Sequence, residues 1–179
     1  MGVYNGKLSE NSLKYGLQYY VKKNNKNLIE IVDNFNNDKV RIGFRAYDAS
    51  GETGAKVNAS VDFFLDIPSF EVLCHNIITG NFSARIKTNQ YEPIYRGSVR
   101  DGKIYSRVLS FQQGNNILIT AHEGLGSKTK TGAVTPQYKL SDTDHTKVTI
   151  AFTPDELKAF ALAGKRALDS YYLHYFGRE

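Results

Sequence analysis

The sequence predicts an α+β fold: two antiparallel four-stranded β-sheets in a duplicated β-β-β-β-α arrangement, packed around two main helices. Three observations carry this expectation. Short segments in both halves of the chain alternate apolar and polar residues, the period of a half-buried strand. Each half closes on a strand, a proline-containing cap and an amphipathic helix, FFLDIPSFEVLCHNI in the first and TIAFTPDELKAFALA in the second, with Pro68 and Pro154 spaced 86 residues apart. Asp101-Gly102, between two strand-like runs, marks a two-residue hairpin whose centre positions both need positive φ. Few identities relate the halves, so the repeat is one of pattern.

The elements follow in order. Residues 15–23 alternate, with Leu17, Tyr19 and Val21 on one face and Gln18, Tyr20 and Lys22 on the other. Asparagines at 24, 25 and 27 turn the chain into a second strand, 28–33 (LIEIVD), and Asn36-Asn37-Asp38 turns it again, because Asn and Asp tolerate left-handed backbone. In 39–48, Val40, Ile42, Phe44 and Ala46 face one way and Lys39, Arg41, Arg45 and Tyr47 the other. A Gly/Ser loop precedes a fourth strand, 56–65, with Val57, Ala59, Val61, Phe63 and Leu65 inward. Asp66-Ile67-Pro68-Ser69 starts a helix, with Asp66 or Ser69 as candidate caps. Phe70, Leu73, Cys74 and Ile77 form its apolar stripe, and Gly80 ends it.

The second half repeats the order. Strands at 92–99 and 103–113 flank the Asp101-Gly102 turn, and a third runs over 117–122. Residues 123–136 read as a mobile Gly/Lys/Thr loop, with a strand resuming at 138–140 and another at 147–152. Thr153-Pro154-Asp155-Glu156 is a capping box with proline at the first helical position. The helix it opens carries the stripe Leu157, Phe160, Ala161, Gly164, Leu168, Tyr171, Tyr172 and Tyr175. The chain is thus expected to be one domain over 1–179, with half-repeats at about 15–80 and 92–176 and a flexible arm at 1–13.

Composition narrows the function classes. The 179 residues carry 23 Lys and Arg against 18 Asp and Glu, a net charge of +5, and 12% aromatics made of twelve Tyr and ten Phe without Trp. A single cysteine, Cys74, excludes an internal disulfide framework and a cysteine-rich zinc site. Mean hydropathy of −0.42 and no apolar run near the ~18 residues of a spanning helix argue against a membrane protein. The start of the chain lacks an apolar signal stretch, so a cytoplasmic location is expected, in a host cytoplasm if the protein is viral.

No catalytic motif stands out, and the chain is not expected to be an enzyme. Gly124-Leu125-Gly126-Ser127-Lys128-Thr129 departs from a phosphate-binding P-loop because Ser127 separates glycine from lysine and no helix follows. The histidines, 75, 122, 145 and 174, lack metal-ligand spacing, and no nucleophile elbow is present. Asp142/Asp144 and Asp155/Glu156 are explained by a turn and a helix N-terminus. Neither a metal nor an organic cofactor is implied.

Charge and aromatics are more informative. Residues 39–47 carry three basic side chains and no acid, whereas 62–75 carry Asp62, Asp66 and Glu71 without Lys or Arg. In the second half Lys103, Tyr105 and Arg107 alternate on one strand, with Arg96 and Arg100 on its hairpin partner. A solvent-facing strand displays such residues simply to protect a sheet edge. Their recurrence in both halves, interleaved with tyrosines, fits a surface where Arg and Lys neutralise phosphates and rings stack on unpaired bases. Lys39, Arg41, Arg45, Arg96, Arg100, Lys103 and Arg107 are the candidate phosphate contacts, Tyr47 and Tyr105 the candidate stacking rings, and Tyr20 a further one. Lys128 and Lys130 would close over the strand from the loop.

With its Asp101-Gly102 hairpin strands, its IPSFEVLCHNIITG helix and its terminal TPDELKAFALAGKRALDSYYLHYF helix, the chain resembles the Whirly family of single-stranded DNA-binding proteins, related in fold to the coactivator PC4. The similarity spans roughly 15–176. It implies a distant, phage or bacterial member of the fold that binds single-stranded DNA, or RNA, without strict sequence preference, in replication, recombination or transcription. It also implies a homo-oligomer, with Tyr171, Tyr172, Tyr175 and Phe176 at the end of the last helix as the candidate seam. The alternative expectation is a structural or interaction protein, such as a viral assembly component, whose basic face meets a protein partner.

Overall fold

The computed structural model describes residues 16–48 and 56–176. The arm expected at 1–13 and the loop at 49–55 lie outside the described residues. Strands β1 (Gln18–Lys23), β2 (Asn27–Asn34), β3 (Lys39–Tyr47) and β4 (Val57–Asp66) form an antiparallel sheet in that order. Helices α1 (Ile67–Ile78) and α2 (Asn81–Asn89) follow. The second sheet holds β5 (Tyr91–Arg100), β6 (Lys103–Gln113) and β7 (Ile117–Lys128) as successive neighbours. β9 (Thr146–Phe152) pairs with the first part of β7, and the short β8 (Val134–Pro136) with its far end. Helix α3 (Pro154–Phe176) closes the described chain.

The α+β architecture of two antiparallel sheets about helices therefore holds, and alternation decides the strand faces except at two irregularities: in β1, and where β3 and β4 shift register and leave Val57, expected inward, 45% exposed. Ile29, Ile31, Val40, Ile42, Phe44, Val61, Phe63 and Leu65 line the inner face of the first sheet and are essentially inaccessible. Leu109, Phe111, Ile117, Ile119, Val148, Ile150 and Phe152 do the same on the second, and both faces join one core with α1 and α3. Burying each such side chain stabilises the fold by about 1.5–3 kcal/mol relative to exposure. The hairpin at Asp101-Gly102 has φ of 49° and 72°, the doubly positive turn the dipeptide dictates. The capping box is formed: Glu156 N–H donates to Thr153 Oγ1 at 3.2 Å, and Thr153 N–H to Glu156 Oε2 at 2.8 Å.

Four expectations are corrected. The second sheet has five strands rather than four, because 123–128 is no loop: β7 continues to Lys128 in register with β6, pairing Tyr105 with Leu125, and turns into β8. Glycine there serves close packing, with Val134 of β8 lying over Gly97 and Gly126 where a Cβ would intrude. The strand expected at 138–140 is replaced by β8, since 126–128 pairs with 134–136 first. A third helix, α2, follows the first at once; Gly80, at φ 83°, reverses the chain so that Phe82 and Ile86 are buried. Asp66 occupies the N-cap position of α1 without a side-chain capping bond, because its carboxylate faces Lys39 and Arg96 instead.

Candidate nucleic-acid interface

The register of β5, β6 and β7 places Arg96, Arg107 and Glu123 side by side, with Ser98, Tyr105 and Leu125 in the next row. These rows share a face with Leu109, Phe111 and Ala121, so the core-facing side of the second sheet runs on past the core. There it meets the outer face of the first sheet at β4. The Arg107 guanidinium lies 5.8 Å from the centre of the Phe64 ring, and Phe64 pairs across the sheet with Arg41. A strip of side chains thus crosses from one sheet to the other: Arg41, Phe64, Arg107, Glu123, Arg100 and Tyr105.

Each part of the strip is held. Glu123 accepts from Arg100 Nη2 at 2.6 Å through one oxygen and from Arg107 Nε through the other. The Arg100 guanidinium covers the Tyr105 ring at 4.2 Å, a cation–π contact. On β3, Arg45 Nη2 donates to Asp62 Oδ1 at 2.8 Å and lies 3.7 Å from Glu30 Oε1, with Arg41 Nη2 4.0 Å from the same oxygen. Glu30 reaches between the two arginines because Gly43 separates them; a Cβ there would stand 2.7 Å from Glu30 Oε1. Lys39 and Arg96 flank Asp66 at 3.8 and 3.9 Å, and Arg96 Nη2 also reaches Ser69 Oγ at 3.3 Å. Lys103 stands beside the hairpin turn, opposite Arg100 and exposed.

The segregation of charge expected along the chain is therefore not a segregation in space. Antiparallel pairing brings Glu30 and Asp62 to either side of Gly43, and β7 carries Glu123 to Arg107. Seven candidate basic side chains against the four carboxylates Glu30, Asp62, Asp66 and Glu123 leave the strip at +3. The exposed pairs that Lys39 and Arg96 make with Asp66 contribute about 0–1 kcal/mol each, so a competing anion exchanges with them at small cost.

The opposite face of the second sheet is covered by 134–146. Tyr138 stacks on His145 with centroids 4.1 Å apart and donates its hydroxyl hydrogen to Ser106 O at 3.0 Å. His145 Nε2 lies 2.9 Å from His122 Nδ1, and His122 Nε2 lies 3.3 Å from Ser110 Oγ. Burial first, then His145 and Lys147, push the His122 imidazole down to about 4, so it is neutral at pH 7. Among the described residues no three of His, Cys, Asp and Glu stand close enough to hold a metal.

The fold is similar to that of a plant transcriptional regulator. That protein, PBF-2, superposes with a TM-score of 0.53 at 12% identity, over 90% of this chain and 84% of its own. The likeness to PBF-2 is one of fold, and it supports the distant Whirly-like architecture expected from the sequence. No protein-family model and no curated protein matches the sequence.

Beside the PBF-2-like framework, the expected site residues divide into groups. Lys39, Arg41, Arg96, Arg100, Tyr105 and Arg107 gather where the two sheets meet, with Arg45 two rows out along β3, beyond Gly43, and Lys103 at the hairpin end of β6. Tyr47 stands about 20 Å along the strand from Arg41, six residues at ~3.3 Å each, and is not part of this group. Tyr20 does not point to the polar face. The β1–β2 register shifts between Gln18 and Tyr20, and this bulge turns the Tyr20 ring edge-on to Phe160 at 5.5 Å. Lys128 and Lys130 lie at the β7–β8 turn, which is an ordered hairpin closed by Thr129 N–H to Ala133 O at 2.8 Å. Through Val134 that hairpin packs on Gly97, on the face opposite Arg107. Sequence reasoning missed Phe64 and the carboxylate partners. An aromatic on the polar side of β4, out of phase with Phe63, was the available signal for Phe64.

In the seam region, Tyr171 is turned inward, its ring 5.1 Å from Phe35 and its hydroxyl donating to Asp38 Oδ1 at 3.0 Å. Tyr172 donates to Glu71 Oε2 on α1 at 2.8 Å. Leu173 and Phe176 remain exposed, at 73% and 70%. Among the described residues no helix is long and apolar enough to cross a membrane.

Proposed function

We propose that the strip of side chains where the two sheets meet, called the cleft below, binds single-stranded nucleic acid, and that the protein is a sequence-tolerant single-stranded DNA-binding protein of replication, recombination or transcription. In this reading the chain is one Whirly-like domain over 1–179. One observation carries the proposal: Arg107 of the second sheet approaches the Phe64 ring of the first to 5.8 Å, beside the Arg100–Tyr105 contact at 4.2 Å. Guanidinium groups beside rings, in a strip two sheets wide, suit a flexible chain of alternating phosphates and flat bases. Neither long helix offers the basic face that would enter the major groove of a duplex. Lys39, Arg41, Arg45, Arg96, Arg100, Lys103 and Arg107 contact phosphates, Tyr105 and Phe64 stack on bases, and Tyr47, Lys128 and Lys130 take no part at the sheet junction.

The exposed Leu173 and Phe176 at the end of α3 fit contact with a second copy of the chain. A dimer or larger species in light scattering at micromolar concentration supports this, and a monomeric mass counts against it.

A gel shift with an oligo-dT strand at two salt concentrations tests the main reading. Micromolar or tighter binding that weakens steeply with salt is expected. Arg107→Ala should reduce affinity by about tenfold without loss of folding, as removing one phosphate contact does. The pairing of every cleft arginine with a carboxylate also favours a second reading, a protein partner rich in Asp and Glu. Absence of binding to oligo-dT at low salt would select that alternative.

A further inference from the structure

The bridge at Glu123 has a geometry that ordinary surface ion pairs lack. One carboxylate holds two guanidinium groups, one oxygen each; Arg100 is laid on the Tyr105 ring at 4.2 Å, and Arg107 faces the Phe64 ring at 5.8 Å. Only 17% of the Glu123 side chain and 14% of the Arg107 side chain are exposed. A phosphodiester presents two anionic oxygens with nearly the spacing of a carboxylate, and arginine binds both anions with paired N–H donors. The carboxylate therefore sits where the proposed ligand's phosphate would make its best contacts.

We propose that Glu123 is an internal competitor for the nucleic-acid backbone: it keeps Arg100 and Arg107 arrayed beside their rings in the free protein and must be displaced for a phosphate to bind between them. This rests on the reading of the cleft as a nucleic-acid site. The arrangement has two opposing consequences. Preordering the guanidinium groups lowers the conformational cost of binding. The fixed negative charge beside the incoming phosphate opposes it, by more than a surface charge would because the site is partly screened from water. The second effect is the larger, since the Tyr105 ring still restrains Arg100 without Glu123, and Arg107, 14% exposed, is still confined by its surroundings.

The same logic separates Glu123 from the other carboxylates. Glu30 lies within 4.0 Å of both Arg41 and Arg45, but neither approach is a hydrogen bond. Asp66 is 57% exposed and stands at 3.8 and 3.9 Å from its two partners.

The test compares Glu123→Gln with Glu92→Gln, which removes the same charge from an ion pair with Arg85 outside the cleft. Fluorescence anisotropy on a labelled oligo-dT strand gives affinity and its salt dependence for each. Glu123→Gln should bind about tenfold more tightly than wild type, with a steeper log–log salt slope by about one phosphate, while Glu92→Gln changes affinity less than about twofold. Wild type binding with equal gains in both variants, or with weaker binding by Glu123→Gln, overturns the competitor role and leaves the cleft reading standing. No binding by wild type or Glu123→Gln at low salt overturns both. Circular dichroism melts of the variants establish that each is folded before the comparison is made.

Discussion

Gly164 of α3 lies against Cys74 of α1 so closely that a Cβ on it would stand 2.6 Å from the Cys74 sulfur and 2.7 Å from Phe70 Cζ. The helices that join the two sheets into one core therefore meet at a point with no room for a methyl group. Glycine inside a helix costs about 1 kcal/mol against alanine, so the position is kept open against local preference. Gly164→Ala should lower unfolding stability by about 1–3 kcal/mol in a urea titration, the usual penalty for overpacking. Adding Cys74→Ala should recover part of the loss, because one of the two obstructing groups is then gone. An unchanged midpoint for Gly164→Ala would mean that the helices separate there without cost.

The same contact makes a prediction about the thiol. Burial above all, with Glu71 adding to it, pushes the Cys74 thiol up to about 12. Thiolate is the reactive form, so at pH 8 the group is both protonated and shielded. A chromogenic disulfide reagent should release less than a tenth of an equivalent in native buffer over an hour and a full equivalent in denaturant. Rapid reaction of the folded protein would show that α1 opens from α3.

Two tyrosines expected to do the same work should separate cleanly. Tyr105 stands in the cleft under Arg100, whereas Tyr20 packs on Phe160. Tyr105→Ala should weaken oligo-dT binding by about 1–3 kcal/mol, the worth of one stacked base, and leave the melting temperature within a few degrees. Tyr20→Ala should lower the melting temperature and leave affinity unchanged once the protein is folded. Equal effects on binding would return Tyr20 to the site.

How far the sequence carried these assignments depends on the range of the interaction. Periodicity and turn chemistry act between near neighbours, and they placed Val40, Ile42 and Phe44 inward, the Asp101-Gly102 turn, and the Thr153–Glu156 box. A bulge changes alternation by one residue, so the face of Tyr20 was not legible from its own segment. The Gly-rich 124–126 run reads as a loop until Val134 and Tyr138 are seen to need the space. Arg107 was legible as a basic residue alternating with Lys103 and Tyr105, but not as one on the side of the sheet that it shares with the core residues Leu109 and Phe111. Its neighbours Phe64 and Glu123 come from strands whose register only the fold sets, and they decide what Arg107 can do.

The buried histidine pair predicts a pH dependence with a definite sign. In the folded protein His122 titrates near 4, held down mainly by burial, whereas in the unfolded chain it titrates near its ordinary 6.5. Between these values the unfolded state binds a proton that the native state does not, so stability falls as pH drops through this window. It is fully present above about 6.5 and lost progressively toward 4. The slope reaches about 1.4 kcal/mol per pH unit, for a total on the order of 3 kcal/mol. Glu156 adds a loss in the same direction, but below its ordinary 4.5, because Lys22 and the Thr153 N–H hold its carboxyl lower still. Protonation of His122 sets a charge beside His145 and Lys147, with Ser110 and Tyr138 unable to neutralise it, so 134–146 should loosen from the sheet first. Denaturant titrations at half-unit steps from pH 7 to 4 should show this decline for wild type and a flatter profile for His122→Gln. Parallel profiles for the two proteins would place the acid sensitivity elsewhere and remove His122 as its cause.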